Sequence, residues 1–238
     1  MRRRVKTSPA SGRVFVIGDI HGCARELELM LDEISAEDDD VVIFLGDYID
    51  RGPDSRRVIE MLIDFKKRHS QTVFLKGNHE DMMLSYFGLP GRHGDCFLLN
   101  GGFSTLQSYG VSDPQHALEH IPQAHLEFLK SLENYKLQTS FLCVHAGIRP
   151  SLSLEQQSEE DMLWIRHEFI LSPHSLGLTV IFGHTPMREV MLDLPYKIGI
   201  DTGLVYGGKL SCVELSEGIL YQLAKGGSDV KVKRLSLR

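Results

Sequence analysis

The sequence has no long apolar run. Its longest, residues 41–45, falls far short of the roughly 20 residues a helix needs to span a bilayer. Cysteine is sparse and scattered: Cys23, Cys96, Cys143 and Cys212 form no CxxC pair. That pattern suits buried or free thiols in a reducing cytoplasm better than a disulfide framework or a zinc knuckle. Basic charge is also short, with 26 Lys and Arg against 32 Asp and Glu, a net of −6. Arg2, Arg3, Arg4 and Lys6 hold four of those positive charges, so the rest of the chain carries 22 − 32 = −10. A nucleic-acid binder would need a basic stripe to neutralise phosphates, so that class is not expected. Repeats and low-complexity stretches are absent. With 42% hydrophobic and 24% charged residues, the 238-residue chain can bury a full core and is not disordered. At the basic N-terminus, Pro9, Ser11 and Gly12 stand where a signal peptide would place its apolar stretch. Residues 1–11 are expected to be a flexible tail and 12–238 a single domain.

Strand and helix signals alternate through the first half. The apolar run Val14-Phe15-Val16-Ile17 ends in Gly18-Asp19 and reads as a buried strand. Leu27, Met30, Leu31 and Ile34, spaced by threes and fours, predict a helix over residues 24–34. Residues 41–45 form a second strand closed by Gly46-Asp47, and Val58, Ile59, Leu62, Ile63 and Phe65 a second helix. Residues 72–75 make a third strand, ended by Gly77-Asn78-His79. A β-α-β-α-β unit implies parallel strands with right-handed crossovers, and ligands gather beyond the carboxyl ends of such strands. From residue 88 to 134 glycines interrupt the pattern, and Leu118, Ile121, Leu126 and Leu129 suggest a helical cap or insertion broken at Pro122. Further strands are expected over 136–139, 141–144, 179–182, 189–193, 197–200, 209–215 and 219–223. A parallel half followed by a mostly antiparallel half predicts a two-sheet α/β sandwich.

Five of these strand ends carry metal-capable side chains: Asp19 and His21, Asp47, Asn78 and His79, His145, and His184. Asp, Asn and His offer oxygen and nitrogen ligands suited to Mn, Fe or Zn. Taken alone, each is an ordinary loop cap, turn residue or core histidine. Five strand ends with the same local grammar point instead to one shared metal site.

In order, Gly18-Asp19-Ile20-His21-Gly22, Gly46-Asp47-Tyr48-Ile49-Asp50-Arg51-Gly52 and Gly77-Asn78-His79-Glu80 match three signature motifs. His145-Ala146-Gly147 and Phe182-Gly183-His184-Thr185 match two later ones. The chain resembles the phosphoprotein phosphatase family of calcineurin-like metallophosphoesterases, in particular its compact bacterial and phage lambda-type members, from about residue 13 to 214. The resemblance implies that Asp19 and His21 hold one divalent ion, Asn78, His145 and His184 a second, and that Asp47 bridges them. It further implies His79 as general acid, Asp50 as its orienting partner, Arg51 as a phosphate clamp and Arg166, in Leu163-Trp164-Ile165-Arg166, as a second clamp. Manganese is the expected metal, with Fe, Zn, Co and Ni also admissible. Trp164 suits packing, residues 100–102 a turn, and Cys23 a buried helix start. Asp201 suits either a turn or a ligand-orienting role.

The first functional expectation is a phosphatase acting on phosphoserine or phosphothreonine in phosphoproteins or phosphopeptides, with phosphotyrosine within range. The second is a symmetrical dinucleoside tetraphosphate hydrolase acting on nucleotide polyphosphates. Relatives of that type typically carry Asp where this chain has Glu80, which modestly favours the protein phosphatase. A catalytically silent scaffold is the third, and here no ligand or acid is missing.

Overall fold

Successive residues of the central strands face opposite ways in the structure, a computed structural model that describes residues 12–237. The expected basic tail, residues 1–11, lies outside that range. In β1 (Val14–Ile17) and β2 (Val41–Phe44), Phe15, Ile17, Val42 and Phe44 face a helical layer, whereas Val16 and Ile43 face a second sheet. The helical layer contains α1 (Ala24–Ile34) and α2 (Ser55–Arg68), joined by α3 (Asn78–Tyr86) after β3 (Thr72–Phe74). Asp54 caps α2 by accepting the Arg57 N–H, and Lys66, Lys67 and Arg68 complement the dipole of its last turn.

Residues 88–134 contain α4 (Gly102–Ser108), α5 (Ala117–His120) and α6 (Gln123–Lys130), with Pro122 between the last two. Leu106, Tyr109, Leu126 and Leu129 of this segment share the apolar cluster of α1 and α2. The chain then builds β4 (Tyr135–Gln138), β5 (Phe141–Val144), α7 (Glu159–Trp164), α8 (His167–Ile170), β6 (Thr179–Phe182), β7 (Met191–Asp193) and β8 (Lys197–Gly199). It closes with β9 (Lys209–Glu214), β10 (Ile219–Ala224) and β11 (Lys231–Arg234).

Two mixed sheets result, ordered β11-β10-β9-β1-β2-β3 and β4-β5-β6-β8-β7. The two-sheet α/β sandwich is as expected, but its sheets do not follow the two halves of the sequence. β9 to β11 return beside β1, antiparallel, with Ile17 opposite Cys212. In the second sheet β5, β6 and β8 are parallel and only the edge strands β4 and β7 run against them. Val16, Ile43, Cys143, Ile181, Ile198 and Val213 fill the space between the sheets. Leu142, Val144, Val180 and Phe182 point outward onto Met162 of α7 and Phe169 of α8. No described helix is long and apolar enough to cross a membrane, and all four cysteines are free thiols.

Lys197, with none of its side chain exposed, holds α8 in place. Its ammonium donates to the carbonyls of Phe169 (2.9 Å), Ile170 (3.1 Å) and Ser172 (2.6 Å), satisfying the end of the helix that follows Arg166. Replacing it with methionine leaves buried carbonyls unpaired. Lys197→Met is expected to lower stability by about 3 kcal/mol, read from urea unfolding; an unchanged midpoint would show that the ammonium does no such capping.

Candidate metal centre and active site

The carboxyl ends of β1, β2 and β3 meet those of β5 and β6 along one edge of the sandwich, and each delivers a polar side chain there. Asp19, His21, Asp47, Asn78, His145 and His184 are all buried, none more than 5% exposed. Bringing them together strains the backbone. Five of the eight described non-glycine residues with positive φ are His21, Asp47, Asp50, Arg51 and His184, so left-handed geometry is concentrated at this edge. Glycine is required beside them: a Cβ at Gly77 would lie 2.1 Å from Asp47 Oδ1, and one at Gly183 2.1 Å from Asp19 Oδ1.

Asp47 stands at the centre. Its Oδ2 is 3.4 Å from His21 Nε2 and its Oδ1 is 3.4 Å from His145 Nε2. Each imidazole donates its Nδ1–H to a carbonyl, His21 to Ile49 (2.8 Å) and His145 to Leu45 (2.8 Å). Both Nε2 atoms are therefore acceptors beside the carboxylate, that of His21 met by the Arg51 guanidinium at 2.7 Å. His145 Nε2 also faces Asn78 Oδ1 at 3.1 Å, acceptor against acceptor. On the far side, His184 Nδ1 is 2.9 Å from Asn78 Oδ1, while its Nε2 is buried without a partner among the described residues. Lone pairs converging at these distances repel unless a cation lies between them. Burial pushes His21 down to about 3 and lowers His145 and His184, keeping the rings neutral as ligation requires. Acidic groups nearby are pushed the other way. Burial, Asp201 and Asp47 raise Asp19 well above its usual value, and burial with Asp47 lifts Glu80 to about 8. Against its burial, the histidines around Asp47 lower that carboxylate instead, and the oxygen and nitrogen donors of the pocket fit divalent cations.

Two groups of three donors lie close enough to hold an ion, His21–Asp47–His79 and Asp47–His145–His184, with Asp47 common to both. Asp19 belongs to neither. Its carboxylate accepts the His184 backbone N–H at 3.0 Å, tying the loop after β1 to the loop after β6. His79 joins the first group through its Nε2, 3.9 Å from Asp47 Oδ2, while its Nδ1–H donates to Asp50 Oδ2 at 2.6 Å. Burial opposes protonation of His79, but Asp47 and Asp50 outweigh it and raise the imidazole. Arg51 points a guanidinium nitrogen at His21 Nε2, 2.7 Å away. Arg166 is exposed, and its charge acts on His145, His184 and Asp201.

Several supporting residues carry no signal in the sequence. Thr105 donates its hydroxyl to Asp50 Oδ1 (2.6 Å) and, with Ser55, accepts the Asp50 N–H. Both are helix hydroxyl residues that no motif in the sequence marks. Glu80 accepts the N–H groups of Asp47 (2.9 Å), Tyr48 (2.8 Å) and Gly77 (2.9 Å) and fixes the loop that carries Asp47. Asp201 accepts the Gly203 N–H two residues on, a turn contact, and its charge also acts on Asp19. Trp164 is partly buried against the core, and Cys23 is a buried helix start.

A buried, doubly clustered donor set with one shared carboxylate, at the common strand ends of a two-sheet sandwich, fits a two-metal hydrolytic centre. Residues 12–211 match the calcineurin-like phosphoesterase family, and the chain belongs to it. It is 32% identical over 216 residues to serine/threonine-protein phosphatase 1 of Salmonella typhimurium, covering 85% of this chain and 91% of that protein. It is 25% identical over 227 residues to the bis(5'-nucleosyl)-tetraphosphatase PrpE (asymmetrical) of Bacillus thuringiensis, covering 85% and 90%. Among solved structures, one named for diadenosine tetraphosphatase superposes with a TM-score of 0.69 at 24% identity, covering 91% of this chain and 95% of that one. A cold-active protein tyrosine phosphatase does so at 0.62 and 17%, covering 94% and 79%. Both structural likenesses speak to the fold alone.

With one oxygen replaced by a neutral amide nitrogen, the shared carboxylate can no longer serve two ions. Asp47→Asn is expected to drop bound manganese from two equivalents to less than one, measured by plasma mass spectrometry on gel-filtered protein. Two retained equivalents would refute the bridging role.

Proposed function

We propose that this chain is a manganese-dependent protein phosphatase that hydrolyses phosphoserine and phosphothreonine monoesters, with phosphotyrosine within range. Asp19, His21 and Asp47 would hold one ion; Asp47, Asn78, His145 and His184 would hold the other. When bound, the two divalent ions supply Lewis-acid charge that lowers the pKa of a water and offsets charge on the phosphoryl group. Arg51 and Arg166 would clamp the phosphate oxygens, a task suited to the guanidinium fork.

The observation that carries the reading is the buried His79–Asp50 pair, joined at 2.6 Å. Asp50 fixes the imidazole tautomer and favours its protonated form, so Nε2–H is the proton available to a departing oxygen. A serine or threonine alkoxide is a poor leaving group and needs that proton. The phosphate of a nucleotide, released from an anhydride, does not. The ester P–O bond breaks, the alkoxide takes the His79 proton, and water supplies the new phosphorus–oxygen bond. The 32% identity to a serine/threonine-protein phosphatase supports the same substrate class.

A dinucleoside tetraphosphate hydrolase is the second reading, favoured by the 25% identity to PrpE. Glu80 does not separate the two, because its buried carboxylate is occupied by backbone N–H groups and faces no substrate. Metal-defined enzyme assayed on phosphopeptides and on diadenosine tetraphosphate distinguishes them. A higher kcat/KM on phosphopeptides is expected; the reverse order would overturn the proposal. Two ADP would then mark symmetrical cleavage, and ATP with AMP asymmetrical.

His79→Asn is expected to retain bound metal. It should slow hydrolysis of a phosphoseryl peptide about 10²–10⁴-fold and affect p-nitrophenyl phosphate, whose leaving group needs little protonation, far less. Equal losses on both would argue against His79 as the acid.

A further inference from the structure

Arg51 is held more tightly along its stem than at its head. Its backbone is left-handed, with φ 66, and its N–H donates to the Gly101 carbonyl at 3.3 Å. A Cβ on Gly101 would sit 2.7 Å from Arg51 Cγ, so that turn presses against the side chain. The guanidinium then has two neighbours. One is His21 Nε2, at 2.7 Å. The other is the ring of Tyr206, whose centroid lies 5.5 Å from Cζ.

A divalent cation treats these two contacts differently. The lone pair that His21 offers to Arg51 is the one it would offer to a metal, since its Nδ1–H is already committed to Ile49. One lone pair cannot serve both. Ligation therefore releases the guanidinium from His21, while the Tyr206 face, which does not compete for the metal, stays beside it within the wider field of Asp19 and Asp201. Tyr206 ends the short turn Leu204–Tyr206 between Gly203 and Gly207, both at positive φ (69 and 88). At 62% exposure its ring adds little to the core, so its placement is not explained by packing.

We infer that Tyr206 is a positioning residue for phosphate recognition: its ring seats the Arg51 guanidinium in the metal-loaded protein, leaving the fork free for two phosphate oxygens. The inference rests on the phosphatase reading for Arg51 as the clamp, but not on which ester is the substrate. Cation–π seating at an exposed ring reduces the rotamer freedom Arg51 must otherwise lose when phosphate binds. The effect belongs to the phosphate group alone. It appears equally in product affinity and in KM, and leaves the proton transfer from His79 untouched.

The experiment is titration calorimetry of inorganic phosphate into manganese-loaded protein, with steady-state kinetics on p-nitrophenyl phosphate beside it. Tyr206→Ala is expected to weaken phosphate binding about two- to fivefold, raising KM by the same factor with kcat unchanged. Tyr206→Phe, which keeps the ring, should match the parent. In an Arg51→Ala background, Tyr206→Ala should change nothing further. Unchanged phosphate affinity in Tyr206→Ala would overturn the inference, as would an undiminished effect without Arg51 or a loss confined to kcat. Because the probe is phosphate itself, failure of the protein-phosphatase reading shows separately, as absent phosphopeptide turnover with these phosphate effects intact.

Discussion

Asp47 has one carboxylate oxygen toward His21 and the other toward His145, and neither imidazole offers it a proton. Every other feature of the site follows from holding that arrangement together. Lone pairs brought to such distances in a dry pocket repel, so the arrangement is one that positive charge completes. Its maintenance falls to the framework. Glu80, at the start of α3, gathers the backbone N–H groups around Asp47, and Gly77 is the residue whose missing side chain lets the two loops touch. The left-handed backbone at Asp47 is tolerated because these bonds over-determine it.

The same logic runs outward to the groups that would act on the ester. Asp50, also left-handed, is fixed by Ser55 at the start of α2 and Thr105 from α4 before it meets His79. Arg51 is braced by Gly101, just before α4. The segment between α3 and β4 thus buttresses Asp50 and Arg51 while its apolar side chains join the core under the first sheet. Across the site, the buried Lys197 ammonium secures α8, which begins directly after Arg166. The residues proposed as clamp and acid are each supported by an element far away in the chain.

Substrate choice is less deeply written than chemistry. Relatives of comparable coverage are named for protein phosphatase and for dinucleoside tetraphosphatase activity. The substrates those names imply share a phosphoryl group; what separates them is the group that leaves. In this chain the His79–Asp50 pair beside the metal donors, proposed above as the acid, is the feature that bears on that difference. Glu80, which distinguishes the motif in sequence, turns out to serve the backbone and says nothing about the ester.

The sequence by itself determined the elements whose information is local. Strands such as β1, β2 and β3 were legible because apolar runs ended at glycine next to a ligand-type side chain, and α1 because its spacing fits one turn of helix after another. Asp19, His21, Asp47, Asn78, His145 and His184 could be named for the same reason: each sits within a few residues of a strand end. Helix α3 was missed altogether because Asn78 and His79 read as turn residues, and β11 because its four residues are all exposed and lack apolar alternation. Only the tertiary structure decided that β9 returns to pair with β1 across nearly two hundred residues and that Thr105 reaches Asp50. It alone also turned Asp19 toward the His184 N–H, outside both donor triads, and set Tyr206 against Arg51. Periodicity records which face of an element is buried; it does not record which distant element buries it, and a lone hydroxyl, carboxylate or ring takes its role from that partner.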